Sequence, residues 1–387
     1  MAARTQVRKV KNASAQRTVR KRVGIDRGFL ATVIMLVVIG LIMLFSASYP
    51  DASYREGDGL KYIKSQSIFA VLGFIAMFFT AKVFDYRLYK KLLKPIMLVI
   101  FVLLGIVLLM PAQQGARRWI PLPFLTVQPS EFAKLAVIMY CAAVFADAKE
   151  KMKDLKYLLK HGLVVAAVLG LLILEPHFSV CLIICAVVAI MLLVGGFPPR
   201  LFWGVVIVAV PIVIAVAFGA DYRADRLAAY WDPFDPAIYK TTGWQIAQSL
   251  YAIGSGGLFG LGFGNSRQKY MYVSEPHNDT IFAIVCEELG MVGAFIIIAL
   301  FCFLIWRGIK IAMDAPDSFG ALLVTGIMTL VGVQVFLNIA VVTKLIPATG
   351  IPLPFFSAGG TALITLMAEM GIVLNVSTHK RQSVSIR

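Results

Sequence analysis

Long runs of apolar residues alternate with shorter polar stretches along most of this 387-residue chain. A helix needs about 20 predominantly apolar residues to cross the hydrocarbon core of a bilayer. The pattern therefore predicts an all-α, polytopic membrane protein. Clear apolar runs begin near Phe29, Ile68, Ile96, Phe132, Leu201, Ile281, Gly320 and Phe355.

Two further apolar stretches lie between His161 and Val194, separated by Glu175-Pro176-His177. A proline flanked by ionisable side chains indicates a turn at this point and not a continuous helix. Because the first stretch is short, a re-entrant pair is an alternative to two full spans. We predict about ten transmembrane helices, with a long loop, residues 220–280, between the seventh and the eighth.

Lysine and arginine are concentrated before the first span and in every second loop after it. Cytoplasmic loops carry such an excess, so we predict that both termini are cytoplasmic and that the long loop is extracytoplasmic. The predicted organisation is a basic, disordered tail (1–28), a single membrane domain (29–376) and a cytoplasmic C-terminal tail (377–387).

The composition agrees with this class and excludes several others. With 59% hydrophobic and 15% charged residues, the chain lies outside the soluble globular range. The net charge of +16 is explained by topology and by contact with lipid, so we exclude nucleic acid as a partner. The five cysteines lie in apolar spans and predict neither a disulfide framework nor a zinc site.

Ionisable residues near the apolar spans are the first candidates for function, since each costs about 2.5–3.5 kcal/mol on insertion scales. They gather on the side predicted to face outward, which predicts a cavity that opens outward. The residues are Arg117, Arg118, Glu131, Lys134, Glu175, His177, Asp279, Glu287, Glu288 and Lys344.

The segment from Gln128 to Lys134 has the pattern of a helix start. Ser130 and Glu131 suit an N-cap and the positive end of the helix dipole, but neither role accounts for Lys134. Lys134 either pairs with Glu131 across one turn or binds an anion, and both can hold. Nearby, Arg117 and Arg118 suit a phosphate or pyrophosphate, although lipid headgroups are an equal alternative.

The long loop contains three distinct stretches after the charged segment Asp221–Leu227. Prolines predict an ordered aromatic loop at 231–236. Helical spacing at 243–250 predicts an amphipathic helix lying on the bilayer surface. The glycine run 254–264 either holds a phosphate or permits tight packing.

Asp279 stands at the end of this loop, directly before the next apolar span. An N-cap is the plain interpretation. An acid at the mouth of an outward cavity can also act as a general base for a hydroxyl nucleophile. His277 and the pair Glu287-Glu288 are close in sequence, and Glu287 lies about two turns below Asp279.

Several motifs, taken in order, closely resemble the SEDS family of shape, elongation, division and sporulation proteins. They extend from about the first span to the last. The motifs are Arg118-Trp119-Ile120, residues 128–135 (QPSEFAKL), 248–258 (QSLYAIGSGGL), 275–279 (EPHND), 287–290 (EELG), 350–357 (GIPLPFFS) and Gly359-Gly360.

The resemblance implies a peptidoglycan glycosyltransferase of the bacterial cytoplasmic membrane. Such an enzyme polymerises lipid II on the outer face, together with a class B penicillin-binding protein and other division or elongation proteins. Asp279 matches the acid thought to be catalytic in this family. Its implied role is to deprotonate the acceptor GlcNAc C4 hydroxyl as this attacks the donor MurNAc C1 with inversion.

We predict three groups of site residues. Asp279 is the catalytic residue. The pyrophosphate is predicted to contact Arg117, Arg118, Lys134, Lys344 and Arg267. Supporting roles are predicted for Gln128, Ser130, Glu131, His277, Glu287, Glu288, Ser357, Gly359 and Gly360. No metal ligand or cofactor is predicted, and a divalent cation at the pyrophosphate is left open.

The run 267–270 is more similar to the division branch of the family than to the elongation branch. Some positions depart from the family pattern: His177 replaces an aspartate, and Asn278, Thr280, Ala358 and Glu369 are also unusual. Two rival functions remain. A lipid II flippase would also show about ten helices with glycine and proline breaks, and a non-catalytic scaffold would tolerate any residue at position 279.

Overall fold

The structure is a computed structural model that describes residues 18–22, 24–112, 116–122, 126–148, 151–152, 154–204, 207, 229–239, 241 and 243–383. Its helices are α1 (Arg27–Glu56), α2 (Lys61–Phe78, continued by a π-helical turn, Phe79–Val83), α3 (Arg87–Lys91), α4 (Leu93–Leu108), α5 (Pro129–Ala148), α6 (Leu155–Leu174), α7 (Phe178–Val194), α8 (Trp244–Gly256), α9 (Ile281–Met313), α10 (Ser318–Val342) and α11 (Gly360–Ser377). Its strands are β1 (Thr18–Arg22), β2 (Ile120–Pro121), β3 (Thr126–Val127) and β4 (His379–Ser383).

The helices confirm the all-α membrane class. In the part of the chain that the structure describes, six helices are long and apolar enough to span a bilayer: α1, α2, α6, α9, α10 and α11. The apolar helices α4 and α7 are shorter, and α5 has 20 residues but carries Glu131 and Lys134. The span predicted from Leu201 is helical over 199–204, while its remainder and Asp221–Leu227 lie outside the described residues.

The two stretches around Glu175-Pro176-His177 form separate helices. With 20 residues, α6 extends about 30 Å, which is enough to cross the hydrocarbon core. The turn joins it to α7, which has 17 residues. These lengths favour two spans over the re-entrant alternative.

The last helix begins later than predicted. We expected it near Phe355, but α11 starts at Gly360. Proline lacks the N–H group that a helix interior needs, so Pro352 and Pro354 keep this apolar stretch out of the helix. Phe355 and Phe356 are buried all the same, and the stretch becomes a core loop that contacts the candidate site.

The prediction that residues 243–250 lie on the bilayer surface is wrong. Helix α8 packs along α9, and a Cβ atom on Gly256 would overlap the carbonyl of Cys286. Cys286 lies more than one turn into α9, so α8 descends into the bundle beside it. Glycine has no side chain, so it permits the two backbones to approach this closely. The pattern of apolar and polar positions in the sequence does not reveal such a contact.

The glycine run after α8 pairs with a break in α9 at Gly290, whose φ of 68° is not helical. A break leaves backbone carbonyl and N–H groups without partners inside the helix. Here the run supplies them through four hydrogen bonds: Leu261 N to Glu287 O (2.9 Å), Gly262 N to Glu288 O (3.0 Å), Met291 N to Gly257 O (3.0 Å) and Val292 N to Leu258 O (3.1 Å). These contacts favour the packing alternative for the glycine run over phosphate binding.

Gly260→Ala is expected to destabilise the protein by about 2–4 kcal/mol. Gly260 has a φ of +79°, and its Cβ would overlap the Glu288 carbonyl. Gly254→Ala in α8 is the matched control, because a Cβ there has no neighbour within 4 Å. Thermal unfolding in detergent should separate the two variants. Equal melting temperatures would contradict this account of the glycine run.

The two tails meet at one end of the bundle, called here the tail end. Strand β1 pairs antiparallel with β4, and Asp26, the N-cap of α1, pairs with Arg307 at 2.6 Å. Residues 18–22 of the tail 1–28 are thus paired with the other tail, and the disorder of tail 1–28 stays a prediction. Helix α1 begins at this end and α9 ends there, because Arg307 lies near the C-terminus of α9. Asp279, directly before α9, therefore lies at the other end, called here the Asp279 end.

Candidate functional site

A cavity of about 340 Å³ lies at the Asp279 end, between the starts of α5, α7, α9 and α11. It brings together predicted residues that are distant in sequence. Those that line it are Arg118, Gln128, Glu131, Lys134, Asp279, Gly359 and Gly360, and they are joined by His177, Glu275, Asn278 and Gln334.

Asp279 is half-buried at the wall of this cavity. The side-chain amide of Gln245, on α8, donates to its two carboxylate oxygens at 3.3 and 3.4 Å. The N-cap residue of α9 is Thr280 and not Asp279. The N-cap interpretation of Asp279 is therefore wrong, and its carboxylate is placed at the cavity.

The backbone on either side of this carboxylate is held by three hydrogen bonds to consecutive carbonyls. Ala358 N donates to His277 O at 2.8 Å, and the Ser357 hydroxyl donates to Asn278 O at 2.6 Å. The Asn338 amide donates to Asp279 O at 2.7 Å and to Ile351 O at 2.8 Å. His277 and Ser357 therefore do not line the cavity, and their hydrogen bonds hold the backbone behind its wall in place.

A short hairpin places the basic residue Arg118 beside this acid. Strands β2 and β3 pair antiparallel, with Ile120 opposite Val127, so Arg118 before the hairpin comes close to Gln128 after it. The Arg118 guanidinium also donates to the Pro176 carbonyl. The hairpin therefore connects the turn between α6 and α7 to the cavity.

Burial shifts the pKa values of both ionisable side chains of that turn toward their neutral forms. Burial raises the pKa of Glu175 to about 8, a rise that the nearby Arg118 opposes. Burial lowers the pKa of His177 to about 3, and the positive charges of Arg118 and Lys134 lower it further. Because His177 is neutral, it adds no charge of its own beside Arg118 and Lys134 in the cavity.

The structure shows the first of the two roles left open for Lys134, the pair with Glu131, and anion binding stays a prediction. Its ammonium group pairs with Glu131 at 2.9 Å, and it also lines the cavity although it is only 3% exposed. A smaller cavity of about 40 Å³ adjoins the first and is lined by Lys134, Glu131 and Glu369. Glu369, on α11, interacts electrostatically with the other two.

Three of the predicted pyrophosphate ligands lie elsewhere in the described structure. Arg117 donates to Leu108 O at 2.8 Å, and Lys344 lies 3.4 Å from Trp231 O. Arg267 is exposed, and its backbone N–H donates to Glu287 at 2.9 Å. None of the three lines the 340 Å³ cavity.

The acids Glu287 and Glu288 also point away from this cavity, into a buried network that holds the loop after the glycine run. Glu288 pairs with Lys269 at 2.8 Å and accepts from the Ser46 hydroxyl at 2.7 Å. Glu287 accepts from the Ser266 hydroxyl. Ser130 is fully buried at the start of α5, and its hydroxyl has no hydrogen-bond partner among the described residues.

Several amides at the site were not predicted, and one of them, Gln334, lines the cavity itself. Gln245 reaches Asp279 from α8, and Asn338 bridges two loops from α10. Gln66 on α2 accepts a hydrogen bond from Gly359 N. Asn338 could have been found, because it lies inside an apolar span with Gln334 one helical turn away, and intramembrane polar residues are functional candidates.

Residues 27–382 match the family of FtsW, RodA and SpoVE, described as cell cycle proteins. The chain is 38% identical over 366 residues to stage V sporulation protein E of Bacillus subtilis, covering 93% of this chain and 99% of that protein. It is also 38% identical over 360 residues to a Geobacter metallireducens protein named "Probable peptidoglycan glycosyltransferase FtsW", covering 92% of this chain and 95% of that one.

Solved structures agree. One, described as "Structural coordination of polymerization and crosslinking by a peptidoglycan synthase complex", is 26% identical with a TM-score of 0.77, covering 92% of this chain and 98% of the solved chain. The Thermus thermophilus rod shape determining protein RodA is 28% identical with a TM-score of 0.66, covering 92% and 97%. The family match over nearly the whole chain, the identities and the shared fold agree with the motifs that line the cavity, so this chain belongs to the FtsW/RodA/SpoVE family, the SEDS family.

Proposed function

We propose that this peptidoglycan glycosyltransferase polymerises lipid II on the outer face of the bacterial cytoplasmic membrane, with both termini in the cytoplasm. The acceptor C4 hydroxyl of GlcNAc attacks C1 of the donor MurNAc, and its proton passes to Asp279. The new O4–C1 bond forms as the bond from C1 to the pyrophosphate oxygen breaks, so the configuration at C1 is inverted. The undecaprenyl pyrophosphate leaves with the bonding electrons.

The observation that carries this proposal is one cavity that holds a half-buried acid together with two basic side chains. Asp279, Arg118 and Lys134 all line the 340 Å³ space. A carboxylate can accept the hydroxyl proton, while guanidinium and ammonium groups stabilise negative charge that develops on the departing pyrophosphate. A divalent cation at the pyrophosphate stays a prediction.

The partners follow from the relatives. A solved relative belongs to a peptidoglycan synthase complex in which polymerization and crosslinking are coordinated. We propose a class B penicillin-binding protein as the crosslinking partner of this chain, along with other division or elongation proteins. The sporulation protein and the Geobacter metallireducens relative are equally similar, at 38% identity, so the division branch also stays a prediction.

The purified chain with its transpeptidase partner is expected to convert lipid II into long glycan strands. Electrophoresis of the labelled product gives the strand length, and a parallel assay in vesicles follows transfer of labelled lipid II between the leaflets. The rival flippase predicts transfer without polymer. Transfer by a protein that makes no strands, with or without the partner, would reverse the proposal.

A further inference from the structure

One face of α2 lies behind the cavity wall and contacts it at three points. Tyr62, Gln66 and Phe69 follow the spacing of one helix face. The Tyr62 ring packs against the His277 ring, with ring centroids 4.1 Å apart and the planes tilted by 35°. The Phe69 ring lies against Gly360, where a Cβ atom would come within 2.5 Å of it. The face therefore contacts both the segment that carries Asp279 and the glycine pair of the cavity.

Gln66 lies between these two ring contacts and uses both ends of its amide. Its Nε2 donates to Ser357 O at 3.3 Å, and its Oε1 accepts from Gly359 N at 3.1 Å. The side chain is only 3% exposed, so water does not readily replace either bond. The amide therefore fixes the short segment 357–359 from the side of α2.

The same segment holds the backbone beside Asp279 from its other side. The Ser357 hydroxyl donates to Asn278 O at 2.6 Å, and Ala358 N donates to His277 O at 2.8 Å. Segment 357–359 is thus hydrogen-bonded to Gln66 on one side and to the residues just before Asp279 on the other. A shift of this segment would move the catalytic carboxylate relative to Arg118 and Lys134.

We propose that Gln66 is a positioning residue, which acts through segment 357–359 to set the place of the Asp279 carboxylate. The inference rests on the proposed function of Asp279 as general base. An amide is required because it combines a donor and an acceptor, which neither a carboxylate nor an apolar side chain provides. A displacement of about 1 Å in such a site can lower the rate by about 10²-fold.

Gln66→Met tests this proposal, because methionine keeps the approximate size of the side chain and removes both hydrogen bonds. We expect kcat for lipid II polymerisation to fall by about 10²-fold, while the KM for lipid II changes by less than about 2-fold, since Gln66 does not line the cavity. Ser65→Ala, on the exposed side of α2, is the matched control and should leave both constants unchanged.

A double-mutant cycle tests the route through Ser357. If Gln66 acts through segment 357–359, the losses caused by Gln66→Met and Ser357→Ala are not additive, because both release the same segment. Additive losses, or a Gln66→Met change confined to KM, would overturn the proposal. If the methionine variant does not fold, Gln66→Asn is measured in its place, since its amide is one methylene too short to reach both partners.

Hydrogen exchange separates this inference from the proposed function. Gln66→Met should speed exchange of backbone amides in 275–280 and 353–360, and Ser65→Ala should not. An inactive wild type with this exchange response would refute the proposed function alone. Unchanged exchange in Gln66→Met, beside an active wild type, would refute the positioning role alone.

Discussion

Asp279→Asn is expected to lower the rate of lipid II polymerisation by about 10³-fold or more while leaving the protein folded. General-base catalysis contributes about 10²–10⁴-fold in enzymes, and the asparagine amide cannot take the hydroxyl proton. Its size matches that of the carboxylate, and its oxygen can still accept from Gln245, whose Nε2 lies 3.3 Å from Oδ1. The carbonyl hydrogen bonds that hold this segment involve backbone atoms of residues 277–279, which the substitution does not change.

The measurement is the single-turnover rate of strand elongation with the transpeptidase partner present. Asp235→Asn is the matched control, because Asp235 is an exposed acid of the same loop and its side chain accepts a hydrogen bond from nearby Ala237 N, which an asparagine oxygen can also accept. It should retain the wild-type rate. Melting temperature and binding of the partner should be unchanged in both variants. Full activity of Asp279→Asn would remove Asp279 from the mechanism as the general base.

Lys134→Met is expected to lower both stability and activity. The ammonium group is buried at 3% exposure between Glu131, at 2.9 Å, and Glu369. Its loss leaves Glu131 without its counter-ion, and breaking a buried pair in this way costs about 3–5 kcal/mol. The departing pyrophosphate also loses one positive group, which is expected to lower the rate by about 10²-fold.

A charge-balanced variant separates these two effects. Lys134→Met combined with Glu131→Gln removes one positive and one negative charge, so unfolding measurements should show much of the stability regained while the polymerisation rate stays low. Lys64→Met is the matched control, because Lys64 pairs with Asp58 at an exposed position and such a pair contributes at most about 1 kcal/mol. Recovery of activity in the balanced variant would show that Lys134 serves packing and not the pyrophosphate.

Much of the fold could be predicted because the bilayer constrains a chain through local composition. Every backbone polar group in hydrocarbon must be satisfied within its own helix, so long apolar runs such as that of α1 were found from sequence. The predictions were wrong where side-chain pattern did not decide the outcome. Helix α8 was placed on the bilayer surface, yet Gly256 and the glycine run bring it against α9 by backbone contact.

The site was predicted in part for a related reason. Charged residues in or beside a span stand out in any sequence, and Asp279, Arg118 and Lys134 were found in this way and do line one cavity. Arg267 and Lys344 carry the same charge and were predicted with equal reason, but they lie elsewhere. A charge in or beside a span indicates that the side chain needs a partner. It does not indicate which group that partner is.

The sequence by itself determined the membrane class, the positions of most helices and the family, and it indicated Asp279 as the candidate acid, because these depend on local composition and on short motifs. Only the tertiary structure decided which charges share the cavity, and that Glu287 and Glu288 hold a loop. It also decided that Gln66 reaches Gly359, 293 positions away in the chain. Such contacts arise when helices pack, because neutral amides and glycines then contact residues that are distant in sequence. No local sequence pattern records those contacts.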